Sequence, residues 1–122
     1  MRGYVPPGWP PAVRPPGSPD WLGTAVAFLF DCCPPDLRAV EVLRRHPVVL
    51  ARFAAEFAAG QHQTARVGLA GVRTALADAV PPQVVQAAAE AWLEQEARLS
   101  RTLRAVLLVE EAIRGRVFVP RL

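Results

Sequence analysis

Apolar and small residues recur every three or four positions over two long stretches of this chain, Pro47–Val80 and Pro82–Arg116. In the first, Leu50, Phe53, Ala54, Phe57, Ala58, Ala65, Leu69, Val72, Leu76 and Ala79 trace one face of a helix. In the second, Val85, Ala88, Ala89, Trp92, Leu99, Leu103, Val106, Val109 and Ile113 do the same. Abundant alanine favours helix intrinsically and permits a neighbouring helix to approach closely. Pro47 and Pro82 suit the first position of a helix, where a missing N–H has no intrahelical partner to lose. Val80, preceding Pro81, is pushed out of the α region, so the first helix must stop there. A connection this short makes the two helices antiparallel neighbours. Gly60, Gly68 and Gly71 each cost roughly 1 kcal/mol relative to alanine, and a break or bend is expected near Gly60.

Charge supports the hairpin. With the turn centred on residues 80 and 81, Arg66 falls near Glu94 and Glu96, Arg52 near Glu110 and Glu111, and Glu56 near Arg104. Unlike signs meet at all three places. Exposed ion pairs contribute only ~0.2–1 kcal/mol, so they select register more than they stabilise. The same register sets Leu69 near Trp92 and Leu76 near Val85, with Gly68 and Gly71 making room for the indole. It also brings Phe53 and Phe57 near Leu103, Leu107 and Leu108.

Ahead of the hairpin, residues 1–19 hold seven prolines and three glycines and cannot be helical. Two readings stand for this tail, a disordered linker or a segment laid on the helices of its own chain or of a partner through Tyr4, Val5, Trp9 and Val13. Its Pro-x-x-Pro spacings also occur in ligands of aromatic grooves, but so proline-dense a stretch makes them undiagnostic. Residues 20–122 form a single α-helical domain. Ser18-Pro19-Asp20 reads as a helix opening with a capping hydroxyl. Trp21–Cys32 follows with Leu22, Ala25, Val26, Leu29 and Phe30 on one face, and Pro34-Pro35 ends it. Asp36–His46 reads as a third short helix with Leu37, Val40 and Leu43 or Val42 inward. The two short helices are expected to cover the open end of the hairpin, where Phe53 and Phe57 meet Leu107 and Val109. The Val117–Pro120 segment is apolar and expected to pack.

Composition narrows the chemistry. One hundred and twenty-two residues suit one domain, and an apolar fraction of 52% implies buried surface or an interface. All fourteen basic residues are arginine, a mark of codon usage more than function, and the net charge of +3 is small. The longest apolar run, Trp21–Phe30, is about half the ~20 residues needed to span a bilayer. With no signal-peptide pattern at the N-terminus, a cytoplasmic protein without membrane contact is expected.

Candidate site residues are few. Cys32 and Cys33 are adjacent and, with His46, fit no zinc spacing. A vicinal disulfide is strained, and inert thiols at a helix end are the plainer reading. His62 could join Glu56 or Glu94 only in a ferritin-like carboxylate site, which requires Glu-x-x-His pairs that the chain lacks. Arg45, Arg52, Arg66 and Arg73 share a helix face at multiples of seven. Arg98, Arg101 and Arg104 form a second basic stripe. A nucleic-acid surface on Arg66, Arg73, Arg98, Arg101 and Arg104 is one reading. Neutralisation of the first stripe by Glu94, Glu96, Glu110 and Glu111 is the other. Nothing in the sequence resembles a glycine-rich phosphate loop, a catalytic triad or paired carboxylates with a cleft.

The stretch from Trp21 through Arg116, with Cys33-Pro34-Pro35-Asp36-Leu37-Arg38 and Val42 to Val48, resembles short uncharacterised helical proteins of actinobacteria. The resemblance implies no activity and carries over no functional residue.

The expected fold is all-α, a long antiparallel hairpin with two short N-terminal helices on its open end. The half toward Pro81 has too few covering residues of its own. A non-enzymatic interaction module without cofactor or metal is therefore expected, pairing with a second copy into a four-helix bundle or with another protein. Trp92, Leu69, Val72, Leu76, His62 and Leu99 are the candidate interface residues. The alternative is a small regulator binding nucleic acid or the transcription machinery through the arginine stripes.

Overall fold

The computed structural model describes residues 3–121; Met1, Arg2 and Leu122, at the ends of the two segments delimited above, lie outside the described residues. Four α-helices follow in order, with no strand among the described residues: α1 (Trp21–Asp31), α2 (Glu41–Arg45), α3 (Pro47–Leu76) and α4 (Pro82–Ile113). A 3-10 turn, Pro35–Ala39, precedes α2. The two long helices form the expected hairpin, and both open on proline. Their register is the expected one. Arg52 Nε lies 3.4 Å from Glu110 Oε2, and Arg73 donates to Gln86 Oε1 at 2.6 Å. Trp92 lies against Gly68.

Several boundaries differ, each for a local reason. The first long helix stops at Leu76; Ala79 and Val80 both donate to the Leu76 carbonyl as the chain tightens ahead of the Pro81 constraint. The second stops at Ile113 because Gly115 takes φ +102°. Its N–H bonds the Ala112 carbonyl and that of Arg116 bonds Glu111, which is a Schellman cap. No break occurs at Gly60; α3 is continuous through it. The expected third helix, Asp36–His46, is split by an extended Val40. An unbroken helix would spread Leu37 and Leu43 over about 120° of its circumference. The kink lets Leu43 bury completely with Leu37 packed beside it. At α1 the Ser18 hydroxyl makes no cap; Ser18 instead accepts from the Trp21 N–H through its carbonyl, and the helix begins at Trp21.

The core lies at the open end of the hairpin. Ala25, Leu29 and Phe30 of α1, Cys33 and Leu43 pack against Leu50, Ala51, Ala54, Ala58, Val106 and Val109. Alanine dominates the α3 side because α1, α2 and α4 all crowd there. Phe53 and Phe57, expected in this core, are 42% and 36% exposed, displaced by the smaller Leu50, Ala54 and Ala58. Leu22 and Ala79 also face solvent.

Of the two readings of the proline-rich segment, residues 3–19 take the ordered one. Pro6-Pro7-Gly8-Trp9 and Pro15-Pro16-Gly17-Ser18 each close with an N–H to carbonyl bond of 3.1 Å, with glycine at positive φ in the third place. This is the type II turn that proline followed by glycine favours. Between these turns Val13 is buried, and Trp9 Nε1 donates to its carbonyl at 2.9 Å. Trp9 also meets Phe118 edge-on at 5.9 Å between centroids. Arg104 clasps the Pro7 carbonyl at 3.0 and 3.2 Å. The segment thus runs over the lid and around α4, while Phe118 is the buried anchor of the C-terminal residues.

Candidate interaction surface

The lid formed by residues 3–45 covers the hairpin only near its open end. From Ala59 to Leu76 and from Pro82 to Ala97 the two helices have only each other, and the lid edge begins at Arg98 and Arg101. Along this tip half the seam holds Ala65, Val72, Val85, Ala89 and Leu99, all buried. Val72 and Leu99, two of the candidate interface residues, therefore face the chain's own partner helix. Leu69, Leu76 and Trp92 are half-buried at its margins. His62 bonds Glu96 across the seam at 2.9 Å, with side chains 19% and 30% exposed. It contributes to hairpin register, a role that its flanking glutamines did not reveal.

Trp92 explains one glycine. A Cβ on Gly68 would lie 2.5 Å from Trp92 Cζ2, so the indole rests directly on the α3 backbone. Gly71 does not share this duty; its missing Cβ would meet open space.

Two faces remain. On the lid side, just beyond the lid, Phe57, Gly60, Thr64, Trp92, Gln95 and Arg98 line an open groove of about 550 Å³. On the opposite side, Arg52, Ala59, Arg66 and Arg73 of α3 run at seven-residue spacing beside Leu107, Ser100, Leu93 and Gln86 of α4. The Arg73–Gln86 bond and the Arg52–Glu110 pair bridge this face. Leu93 and Leu107 stand on it 56% and 39% exposed. The spacing of these two leucines was readable in the sequence but lies off the buried stripe.

The arginines do not form one continuous field. Arg104 is spent on the Pro7 carbonyl, Arg98 on Gln95 and Arg73 on Gln86. Arg101 sits beside Trp9 and Phe28 at the lid edge. Among the described residues Arg66 pairs with neither of its expected partners: Glu96 bonds His62, and Glu94 forms no ion pair. The expected Glu56–Arg104 contact is absent too. Both side chains project away from the seam, and Glu56 meets Arg52 instead.

Cys32 and Cys33 are free thiols. Burial first, then neighbouring Cys33 and Asp31, push the Cys32 thiol up to about 11. Burial also raises Cys33, against the pull of Arg38. A thiol so shifted is a poor nucleophile at neutral pH. His46 is exposed, and no group of three or more metal-ligating side chains occurs among the described residues. No helix among them is long and apolar enough to cross a membrane.

Compared with known proteins, the chain matches no family, no curated sequence and no solved structure. The functional reading therefore rests on the surface just described.

Proposed function

We propose that this chain is a non-enzymatic self-association module, its hairpin pairing with that of a second copy to form a four-helix bundle. The observation that carries the reading is the missing second layer over the tip half. Helices bury their apolar stripe against another layer, and a hairpin supplies only half of such an arrangement. Leu93 at 56%, Val67 at 61% and Val84 at 44% exposure lie on that uncovered half. The dispersal of the arginines among local partners favours self-association over nucleic-acid binding, which needs a continuous basic surface.

Sedimentation velocity from 1 to 100 µM tests the proposal, the range being on the order of weak to moderate homodimer affinities. The expected result is a species of twice the 13.2 kDa chain mass, forming with rising concentration. A monomer throughout that range refutes it. Retention of a short DNA duplex at low salt, lost on Arg66→Ala with Arg73→Ala, would instead favour the nucleic-acid reading.

A further inference from the structure

Resting on that reading, we infer that the second copy docks on the lid side of the hairpin, antiparallel to the first, so that the tip half of each copy fills the recess beyond the other's lid. The two chains then meet as a lap joint, with α3 lying on α3 and α4 on α4 of the other copy. Chemistry selects the side, and shape fixes the orientation.

The recess continues a groove that the chain itself fills. Helix α1 rests on both α3 and α4. Its first residue, Trp21, packs beside Leu108 and Ala112 at the open end, while Phe28 reaches Arg101 and Thr102, so α1 runs toward the tip. Beyond it the groove stays open, walled by Phe57 and Trp92. Steps of three or four residues carry its lining on to Gly68, Gly71 and Ala75 of α3 and to Val84, Ala88 and Ala91 of α4. Charged side chains enter this track only at its lid end, with Glu56 and Arg98. Small, uncharged positions of this kind let a second pair of helices approach to the ~8–10 Å of close packing. The opposite face of the same half carries Arg66, Arg73 and the Arg73–Gln86 bond, polar groups that docking would strip of water.

On this side only one orientation closes. The axis of α1 stands ~10 Å above the hairpin, the usual spacing of packed helices. With both tips at the same end, lid would meet lid and the tip halves would be held about 30 Å apart between axes. With the tips at opposite ends, each tip half lies at the height of the other copy's α1. Recess and filler then match in length, because they are the same segment. Exposed Ala79, Pro81 and Pro82 at the tip abut the lid edge at Pro11 and Phe28. The stretch Ala59–Leu76 spans roughly 27 Å at ~1.5 Å per residue, and two helices are about 20 Å across. The footprint is ~540 Å² per copy and ~1,100 Å² in all, just past the ~1,000 Å² that a specific interface needs. The overlap ends where Pro82 of one copy reaches Arg98 of the other. That register sets Val84 across from Gln95 of the second copy and places Ala91 beside the twofold axis.

The test has two arms, both run at a concentration where sedimentation shows wild-type dimer. In the first, a Val84→Cys chain is mixed with a Gln95→Cys chain and treated with a short bismaleimide, the wild type serving as the blank for Cys32 and Cys33. The expected product is a crosslinked pair holding one copy of each, with none from Val84→Cys alone. Crosslinking of Val84→Cys to itself would put the tips together, and a dimer that crosslinks in neither case docks elsewhere; each overturns the inference. In the second arm, Ala91→Arg sets two arginines beside the twofold axis and is expected to weaken the homodimer on the order of 10-fold or more. Ala91 is exposed in the single chain, so the helical circular-dichroism spectrum should stay that of the wild type. Ala59→Arg, on the opposite face, should leave Kd within about twofold. Equal effects of the two substitutions, or a larger one from Ala59→Arg, overturn the inference while leaving self-association standing. A wild type that stays monomeric removes the proposed function itself.

Discussion

Replacing Gly68 by alanine separates two effects that ordinarily act together. In a helix interior glycine costs ~1 kcal/mol relative to alanine, so Gly→Ala at an unobstructed site should stabilise by roughly that amount. At Gly68 the new methyl would lie 2.5 Å from Trp92 Cζ2 and 2.7 Å from Cδ2. These carbons belong to a rigid fused ring, which must retreat by about an ångström to reach ordinary contact distance. Overpacking of this kind costs ~1–3 kcal/mol. Overlap outweighs propensity, and Gly68→Ala should destabilise by about 1 kcal/mol, near 4 °C in a chain of this size. Gly60→Ala and Gly71→Ala, with nothing within 4 Å of the added carbon, should each stabilise by ~0.5–1 kcal/mol. The assay is a urea titration followed by far-UV circular dichroism at one protein concentration, since association would shift the midpoint. Trp92→Leu in the Gly68→Ala background should remove the excess penalty. If Gly68→Ala stabilises as much as Gly60→Ala, the indole does not rest on the α3 backbone and the seam is packed differently.

Two further outcomes follow from the lid. Trp9→Ala should cost about 2–3 kcal/mol, below the usual loss for a fully buried tryptophan because the ring is half-exposed. Limited digestion with proteinase K should then cut within the first twenty residues, and unchanged resistance would contradict the docking. Cys32, with its thiol raised to about 11, should react with iodoacetamide ~100-fold more slowly at pH 8 than a thiol at its ordinary value of 9.0, and the rate should climb until pH 11. The folded chain holds this proton when the unfolded chain has lost it. The associated stability is therefore complete below pH 9 and drains away between 9 and about 11.

The hairpin was legible because two signals agreed. The 3.6-residue period assigned the helices, and the Val80-Pro81-Pro82 step placed the turn by steric necessity. Register followed from charge in one pair of three. Arg52 does meet Glu110, but His62 claims Glu96 ahead of Arg66, a competition that spacing alone cannot rank. Phe53 and Phe57 misled for a packing reason. Size suggested burial, yet three elements converging on α3 leave room only for alanine and Leu50. The order of residues 3–19 had an unread signature in the repeated Pro-Pro-Gly, which sets two identical turns. Leu93 was hidden differently: at 56% exposed it lies off the buried stripe, so the period that assigned the helix does not point to it.

The Trp9 seat has a consequence for synthesis. Its walls include Phe118, and the carbonyl of Pro7 is gripped by a guanidinium 97 positions further along. The Trp9 segment can thus find its resting place only once Arg104 and Phe118 have been made. Until then the nascent chain carries an unsheltered tryptophan, and the lid can close only after the hairpin it covers has been made.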